Sequence, residues 1–399
     1  MKGSTRHFVV NKLARVILLP AMKLKFRFKF DRIRPAGKPY IVVSNHVCNY
    51  DPILVGLSFK DVLYYVASDH LFRMGLISKL LVFAISPIPR AKATTETKTV
   101  KEIFSRLKDG RNICIFAEGN STFSGETGYI PPSIGKLAKR AGASLITYRL
   151  KGGYFSMPRW SHNVRKGFLK GELVREYTPE QLADMSDDEM NEAVRRDLYV
   201  NAFDDQEVSP VAFRGKRLAE FLEHVLYCCP KCFSFSKLAS KDDRLSCECG
   251  MEARYTEYGY LEPYSSDSWS LPFTKITEWV KWQQTVLEKR AKELIENCTL
   301  PIFAEDGQIL IEAVRGRRNN IVSKGVLKFY CDRFTISGID GIERVFMLTD
   351  IVNMSVITQM NLVFSTKEGT TYELHSDHPR SATKYLDLYR DLTGKPVSV

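Results

Sequence analysis

The sequence predicts an α/β domain in its first half and a small β-rich domain at its C-terminus, with a cysteine-paired segment between them. Three observations carry this expectation. In the first half, short apolar runs such as Tyr40-Ile41-Val42-Val43 and Asn112-Ile113-Cys114-Ile115-Phe116 alternate with helical faces and end in polar turns. Further along, cysteines come in two close pairs, Cys229-Pro230-Lys231-Cys232 and Cys247-Glu248-Cys249-Gly250. Beyond residue 302, alternating β-like runs are separated by glycine turns and closed by one amphipathic helix.

The first run leads into Ser44-Asn45-His46-Val47-Cys48-Asn49-Tyr50-Asp51-Pro52, which joins a histidine and a carboxylate at a strand-to-helix junction. On one continuous helix, residues five apart lie about 140° round the axis and would not meet. They meet if His46 lies in the loop and Asp51 opens the helix. Asp followed by Pro suits that start, with Asp51 as a helix cap. A histidine held by a carboxylate can take a proton from an alcohol near neutral pH. Cys48, between the two, reads as a small apolar filler rather than a nucleophile.

The second run ends in Ala117-Glu118-Gly119-Asn120, at the strand end where open α/β sheets place their sites. Val100, Ile103, Phe104 and Leu107 mark a helical face before it. A third apolar run, Leu80 to Ile85, leads to Pro87-Ile88-Pro89-Arg90, and an arginine just beyond a strand end suits an anionic group.

In this order and spacing, Asn45-His46-x4-Asp51, Arg90, Phe116-Ala117-Glu118-Gly119 and an apolar strand near Leu145, the first half resembles the glycerolipid acyltransferase family that contains 1-acylglycerol-3-phosphate acyltransferases. The resemblance implies a sheet of that type with flanking helices. It also implies transfer of an acyl chain from acyl-CoA or acyl carrier protein to a lysophospholipid hydroxyl. His46 would then be the general base and Asp51 its orienting partner. Arg90 would hold the acceptor phosphate, and Glu118 and Gly119 would shape the acceptor site. A thioester donor needs neither a covalent intermediate nor a metal, and no G-x-S-x-G serine is present. Three departures weaken the implication that the acceptor is lysophosphatidic acid itself: Asn120-Ser121 stand where the family has Thr-Arg, so a phosphate-binding arginine is missing, Ser144 to Tyr148 lacks a usual proline, and Pro87 stands where an aromatic is common. Arg149, Lys151, Arg159 and Lys136 are the candidates to supply the missing charge, and Trp160 is a candidate either to line an acyl groove or simply to pack.

Charge is uneven. The chain carries +12, and residues 1–34 hold ten Lys or Arg against the single acid Asp31. Val9 to Leu19 is apolar but interrupted by Lys12 and Arg15, well short of the ~20 residues of a spanning helix. It reads as an interfacial helix, followed by a strictly alternating strand from Lys23 to Phe30. This segment is expected to lie on an anionic membrane surface, at the cytoplasmic, inner face of the cell membrane. It lacks the cleavage site of a signal peptide, and no nucleic-acid module accompanies the charge, so no nucleic acid is expected.

Domain organisation is read as a basic amphipathic segment 1–34, the α/β domain 35–218, a ribbon 226–262, a linker helix 272–298 and the β-rich domain 302–399. Asp184 to Glu192 reads as an acidic helical face, and Lys151 to Tyr154 as a loop. Nine cysteines without an export signal favour metal binding over disulfides. Cys229, Cys232, Cys247 and Cys249 are the expected ligands of a structural zinc in a zinc-ribbon-like segment, with Cys228 a possible spare. Phe273 to Asn297 reads as a long helix. The final strands and helix resemble the pleckstrin-homology-like superfold, with Arg315, Arg317 and Arg318 as candidate anionic contacts. The competing reading of the whole chain is a non-catalytic membrane or lipid-binding scaffold with a degenerate acyltransferase domain.

Overall fold

The computed structural model describes residues 3–68, 76–90, 97–296, 298–313 and 320–395. The chain forms two compact units, Met1–Pro158 with Val164–Arg214, and Arg159–Asn163 with Gly215–Val399.

The first unit is built on a seven-stranded sheet: β1 (Phe28–Phe30), β2 (Tyr40–Ser44), β3 (Leu63–Ser68), β4 (Ile88–Arg90), β5 (Asn112–Phe116), β6 (Ser144–Lys151) and β7 (Leu169–Tyr177), in the order β1-β7-β6-β2-β5-β3-β4. Neighbours are parallel except β6 and β7, so the expected α/β sheet with flanking helices is present as a mixed sheet. The helices are α1 (Gly3–Phe26), α2 (Asp51–Ser58), α3 (Leu76–Ile85), α4 (Thr97–Lys108), α5 (Ser133–Ala141), α6 (Gly153–Ser156), α7 (Pro179–Asp184), α8 (Asp187–Leu198) and α9 (Ala202–Val208). Both sheet faces are covered, which is why β2 reads as an unbroken apolar run. Val42 faces one cluster, with Met22, Phe26, Val47 and Leu54. Ile41 and Val43 face the other, with Ile103, Leu107 and Val194.

Several elements differ from the sequence expectation. Helix α1 continues through Pro20 to Phe26, because Met22 and Phe26 at helical spacing both enter the core. The alternation from Lys23 therefore becomes a strand only at Phe28, after Arg27 turns the chain with φ 49°. The run Leu80 to Ile85 belongs to α3, and the strand that carries Arg90 is β4. Of Lys151 to Tyr154, expected as loop, Lys151 ends β6 and Gly153 and Tyr154 open the short helix α6.

Helix α1 is unusual in what it leaves outside. Its inner face holds the buried His7, Met22 and Phe26, while Phe8, Leu13, Val16, Ile17 and Leu24 are 57–80% exposed. Val82 and Phe83 of α3 are exposed as well. Among the described residues, no helix is long and apolar enough to cross a membrane.

The second unit contains an antiparallel sheet of β8 (Leu238–Lys241), β9 (Arg244–Cys247), β10 (Glu252–Tyr255) and β11 (Leu261–Pro263), then helix α10 (Ile276–Leu294). A seven-stranded antiparallel sheet follows: β12 (Phe303–Glu312), β13 (Asn320–Phe329), β14 (Arg333–Gly338), β15 (Glu343–Met347), β16 (Ile351–Ile357), β17 (Asn361–Thr366) and β18 (Thr371–Ser376). Its order is β15-β14-β13-β12-β18-β17-β16, and helix α11 (Thr383–Thr393) ends the described chain. Strand β16 was not anticipated from the sequence. Arg315, Arg317 and Arg318 lie outside the described residues.

Candidate active site

The parallel strands β2 and β5 end side by side, with Ser44 opposite Phe116, and the loops that follow them are laced together. Thr122 donates its N–H to the His46 carbonyl at 3.0 Å. Asn45 grips β6 through both ends of its amide, donating to the Leu150 carbonyl at 2.9 Å and accepting from the Leu150 N–H at 2.8 Å. This fixes the loop before the histidine is placed.

Asp51 then fixes the ring. Its Oδ2 accepts from His46 Nδ1 at 2.7 Å, from the Val47 N–H at 2.6 Å and from the Cys48 N–H at 2.9 Å. The cap of α2 is Tyr50, so Asp51 is not the cap but the first helical residue, with its carboxylate turned back into the loop. Because Oδ2 only accepts, Nδ1 carries the proton and Nε2 is left as the acceptor. Asp51 is wholly buried, whereas the His46 side chain keeps 19% of its surface exposed. The ring lies on Phe116, centroids 4.6 Å apart and planes at 29°. Cys48 is buried and donates its thiol to Asp51 Oδ1 at 3.1 Å. Burial first, then the Asp51 charge, pushes its thiol well up, so it holds no thiolate for attack.

Glu118 is buried and reaches backbone on two sides. Oε1 accepts the His46 N–H and Oε2 the Gly128 N–H, each at 2.7 Å. Gly119 turns the chain with φ 76°, its N–H donating to the Phe116 carbonyl at 3.1 Å. Burial pushes the Glu118 carboxyl up to about 7, against the two backbone donors that pull it down. A folded-state value raised from 4.5 to about 7 gives a contribution present below 4.5 and lost as pH rises through 7. The melting temperature of the wild type relative to Glu118→Gln is therefore expected to fall across that window, by up to about 3 kcal/mol in stability. A pH-independent difference between the two melting curves would contradict it.

Arg90, half-buried, ends β4 on the same edge of the sheet, its Cα paired with Ser68. Three inter-strand spacings separate β4 from β2, about 14 Å of sheet, so Arg90 shares the edge with His46 without adjoining it. The four cations weighed as replacements for a missing arginine are all engaged. Arg149 pairs with Glu172 at 2.8 Å, Lys151 with Asp205 at 2.9 Å and Lys136 with Asp187 at 2.9 Å. Arg159 donates to the Val356 and Thr358 carbonyls of the second unit. Trp160 belongs to that unit too, buried edge-on against Tyr255.

Residues 25–151 match the acyltransferase family. The chain is also similar to curated 1-acyl-sn-glycerol-3-phosphate acyltransferases. The chain is 22% identical over 162 residues, 40% of its length and 44% of the relative's, to the chloroplastic enzyme LPAT1 of Arabidopsis thaliana. It is 26% identical over 121 residues, 29% and 47% of the two lengths, to the 1-acyl-sn-glycerol-3-phosphate acyltransferase of Borreliella burgdorferi. The chain thus spans about half the length of the curated relatives it matches. Among solved structures, it aligns with the 1-acyl-sn-glycerophosphate acyltransferase PlsC of Thermotoga maritima at 17% identity and TM-score 0.39, covering 49% of this chain and 82% of that one.

The second unit holds a separate cluster. The sulfurs of Cys229, Cys232, Cys247 and Cys249 all lie within 4.8 Å of one another, with Cys229–Cys249 at 3.7 Å and Cys232–Cys247 at 3.8 Å. Two tight turns bring them there, one closed by the Phe233 N–H on the Cys229 carbonyl, the other by the Gly250 N–H on the Cys247 carbonyl. Tetrahedral thiolates about 2.3 Å from a zinc ion stand about 3.8 Å apart, so this donor set fits that metal. Cys228 is outside the group, its sulfur directed at the Phe233 carbonyl.

Proposed function

We propose that the first unit transfers an acyl chain from a thioester, acyl-CoA or acyl carrier protein, to the hydroxyl of a lysophospholipid. The observation that carries this reading is the His46–Asp51 pair, with Nδ1 engaged and Nε2 free to accept a proton beside an exposed edge of the ring. His46 Nε2 takes the proton of the acceptor hydroxyl as its oxygen attacks the thioester carbonyl. The tetrahedral intermediate collapses and the thiol leaves, taking back a proton. Asp51 keeps the imidazole in the required tautomer and stabilises the imidazolium. Arg90 is assigned to the acceptor's anionic headgroup and Gly119 to the floor of the acceptor site. Glu118 is assigned to that floor through the backbone it binds.

In the second unit, Cys229, Cys232, Cys247 and Cys249 would hold a structural zinc as a closed four-thiolate ribbon, and the seven strands with α11 read as a pleckstrin-homology-like domain. A zinc ion held there would supply folding energy, with all four coordination positions filled by thiolates.

Membrane association at the inner face of the cell membrane is read from α1, whose outward face is apolar and flanked by Lys12, Lys23 and Lys25. Val16→Glu with Ile17→Glu, both at surface positions, is expected to abolish sedimentation with anionic vesicles while the melting temperature stays within a few degrees. Unchanged vesicle binding would remove α1 from the membrane surface.

The direct test is an acyl-transfer assay on a panel of lysophospholipids with both donors. Transfer to at least one acceptor supports the reading. No transfer from either donor would leave the scaffold alternative standing.

A further inference from the structure

The register at the β1 edge of the first sheet places three lysines side by side. Lys29 in β1 pairs with Lys170 in β7, which pairs with Lys151 in β6. Their neighbours Phe28, Leu169 and Leu150 enter the core, so the three ammonium groups share the opposite face of the sheet. Like charges directly across strands are destabilising, and most sheets avoid them. The local acids are too few to neutralise the row. Glu172 is divided among Arg149 at 2.8 Å, Lys170 at 2.9 Å and Lys151 at 4.0 Å, and Asp205 takes Lys151 at 2.9 Å. Burial acts to raise the Glu172 carboxyl, yet these cations hold it below its ordinary value. Lys29 has no carboxylate partner among the described residues; its ammonium lies over the Phe168 ring, 5.5 Å from the centroid.

We propose that this lysine row is a docking surface for an acidic helix of a soluble partner protein, the carrier of the acyl donor. The last clause rests on the acyl-transfer reading; the surface itself does not. Position favours a soluble partner over lipid. Helix α1 packs on the face of Phe28, Leu150 and Leu169, and its exposed apolar stripe points further out on that side. The lysines therefore face away from the surface assigned to the membrane; Lys29 and Lys170, at the uncovered edge of that face, are exposed, and Lys151 is half-buried beside Asp205. Spacing favours a helix. Three adjacent strands span about 10 Å, which matches carboxylates at i, i+4 and i+7 on one helical face. The row also adjoins the site, since Lys151 follows Leu150, whose backbone Asn45 grips next to His46.

The test is direct binding of the full chain to purified acyl carrier protein in a salt series, for the wild type, Lys29→Glu/Lys170→Glu and Lys29→Ala/Lys170→Ala. Vesicles of phosphatidylcholine with phosphatidylglycerol serve as the lipid comparison. Wild-type binding that weakens with salt, about tenfold or more loss in the Glu variant, a smaller loss in the Ala variant and unchanged vesicle binding are expected. Equal carrier binding by the Glu variant, or none by the wild type, overturns the proposal. So does loss of vesicle binding with carrier binding retained, which assigns the row to lipid. Matching melting curves exclude misfolding. Since binding needs no turnover, a chain that binds the carrier but transfers no acyl group sinks the catalytic reading alone.

Discussion

His46→Ala is expected to lower acyl transfer by about 10²–10⁴-fold, the usual contribution of a positioned general base. The fold should survive the change. Asp51 keeps two of its backbone donors, the Val47 and Cys48 N–H groups, and the ring it loses is one that solvent already touches. Loss of rate with unaltered melting and vesicle binding would assign the defect to proton transfer. A fully active alanine variant would remove His46 from the chemistry, whatever the rest of the site does. Cys48 offers no escape route, because its buried thiol points at a carboxylate and is held protonated.

Loss of the proposed zinc is expected to have the larger effect on stability. Four-thiolate zinc sites contribute on the order of 10 kcal/mol of apparent binding free energy, comparable to the whole stability of a domain. The cysteine turns lean on α10: Gln283, wholly buried, accepts the Tyr227 N–H at 2.9 Å and donates to the Val225 carbonyl at 2.8 Å. Trp279 donates to the Cys228 carbonyl at 2.9 Å. Collapse of the turns should therefore spread into this helix. One zinc per chain by elemental analysis is expected, with a strong chelator or Cys232→Ser lowering the calorimetric transition by many degrees. Less than about half an equivalent of zinc in freshly purified protein would count against four-thiolate ligation.

What the sequence made legible was local. The run Asn45 to Pro52 carries its histidine and carboxylate within a single turn-sized segment, and the apolar runs of β2 and β5 are long enough to read without tertiary knowledge. The cysteine pairs are equally local. Glu118 shows the opposite case: its two backbone partners, His46 and Gly128, come from different loops, and nothing in their residue types signals a hydrogen bond to a main-chain N–H. The stretch from Lys23 to Phe30 shows a third. Its alternation fits a strand and its spacing of Met22 and Phe26 fits a helix, and core packing decided between them at Arg27. Arg159 and Trp160 lie close after the site in sequence but are built into the second unit, where Trp160 takes the packing role that its sequence also allowed.

That short excursion governs how the chain can be made and cut. Residues Arg159–Asn163 belong to a unit whose other residues begin at Gly215. A ribosome must therefore synthesise Trp160 well before the Tyr255 it packs against, leaving a large indole without its core until the later segment emerges. A truncated chain ending near Arg214 would carry the histidine loop intact and yet expose that tryptophan permanently. Proteolysis or gene dissection aimed at isolating the first unit would thus yield a fragment with an exposed tryptophan, and poor solubility of that fragment would say nothing about the fold of the unit.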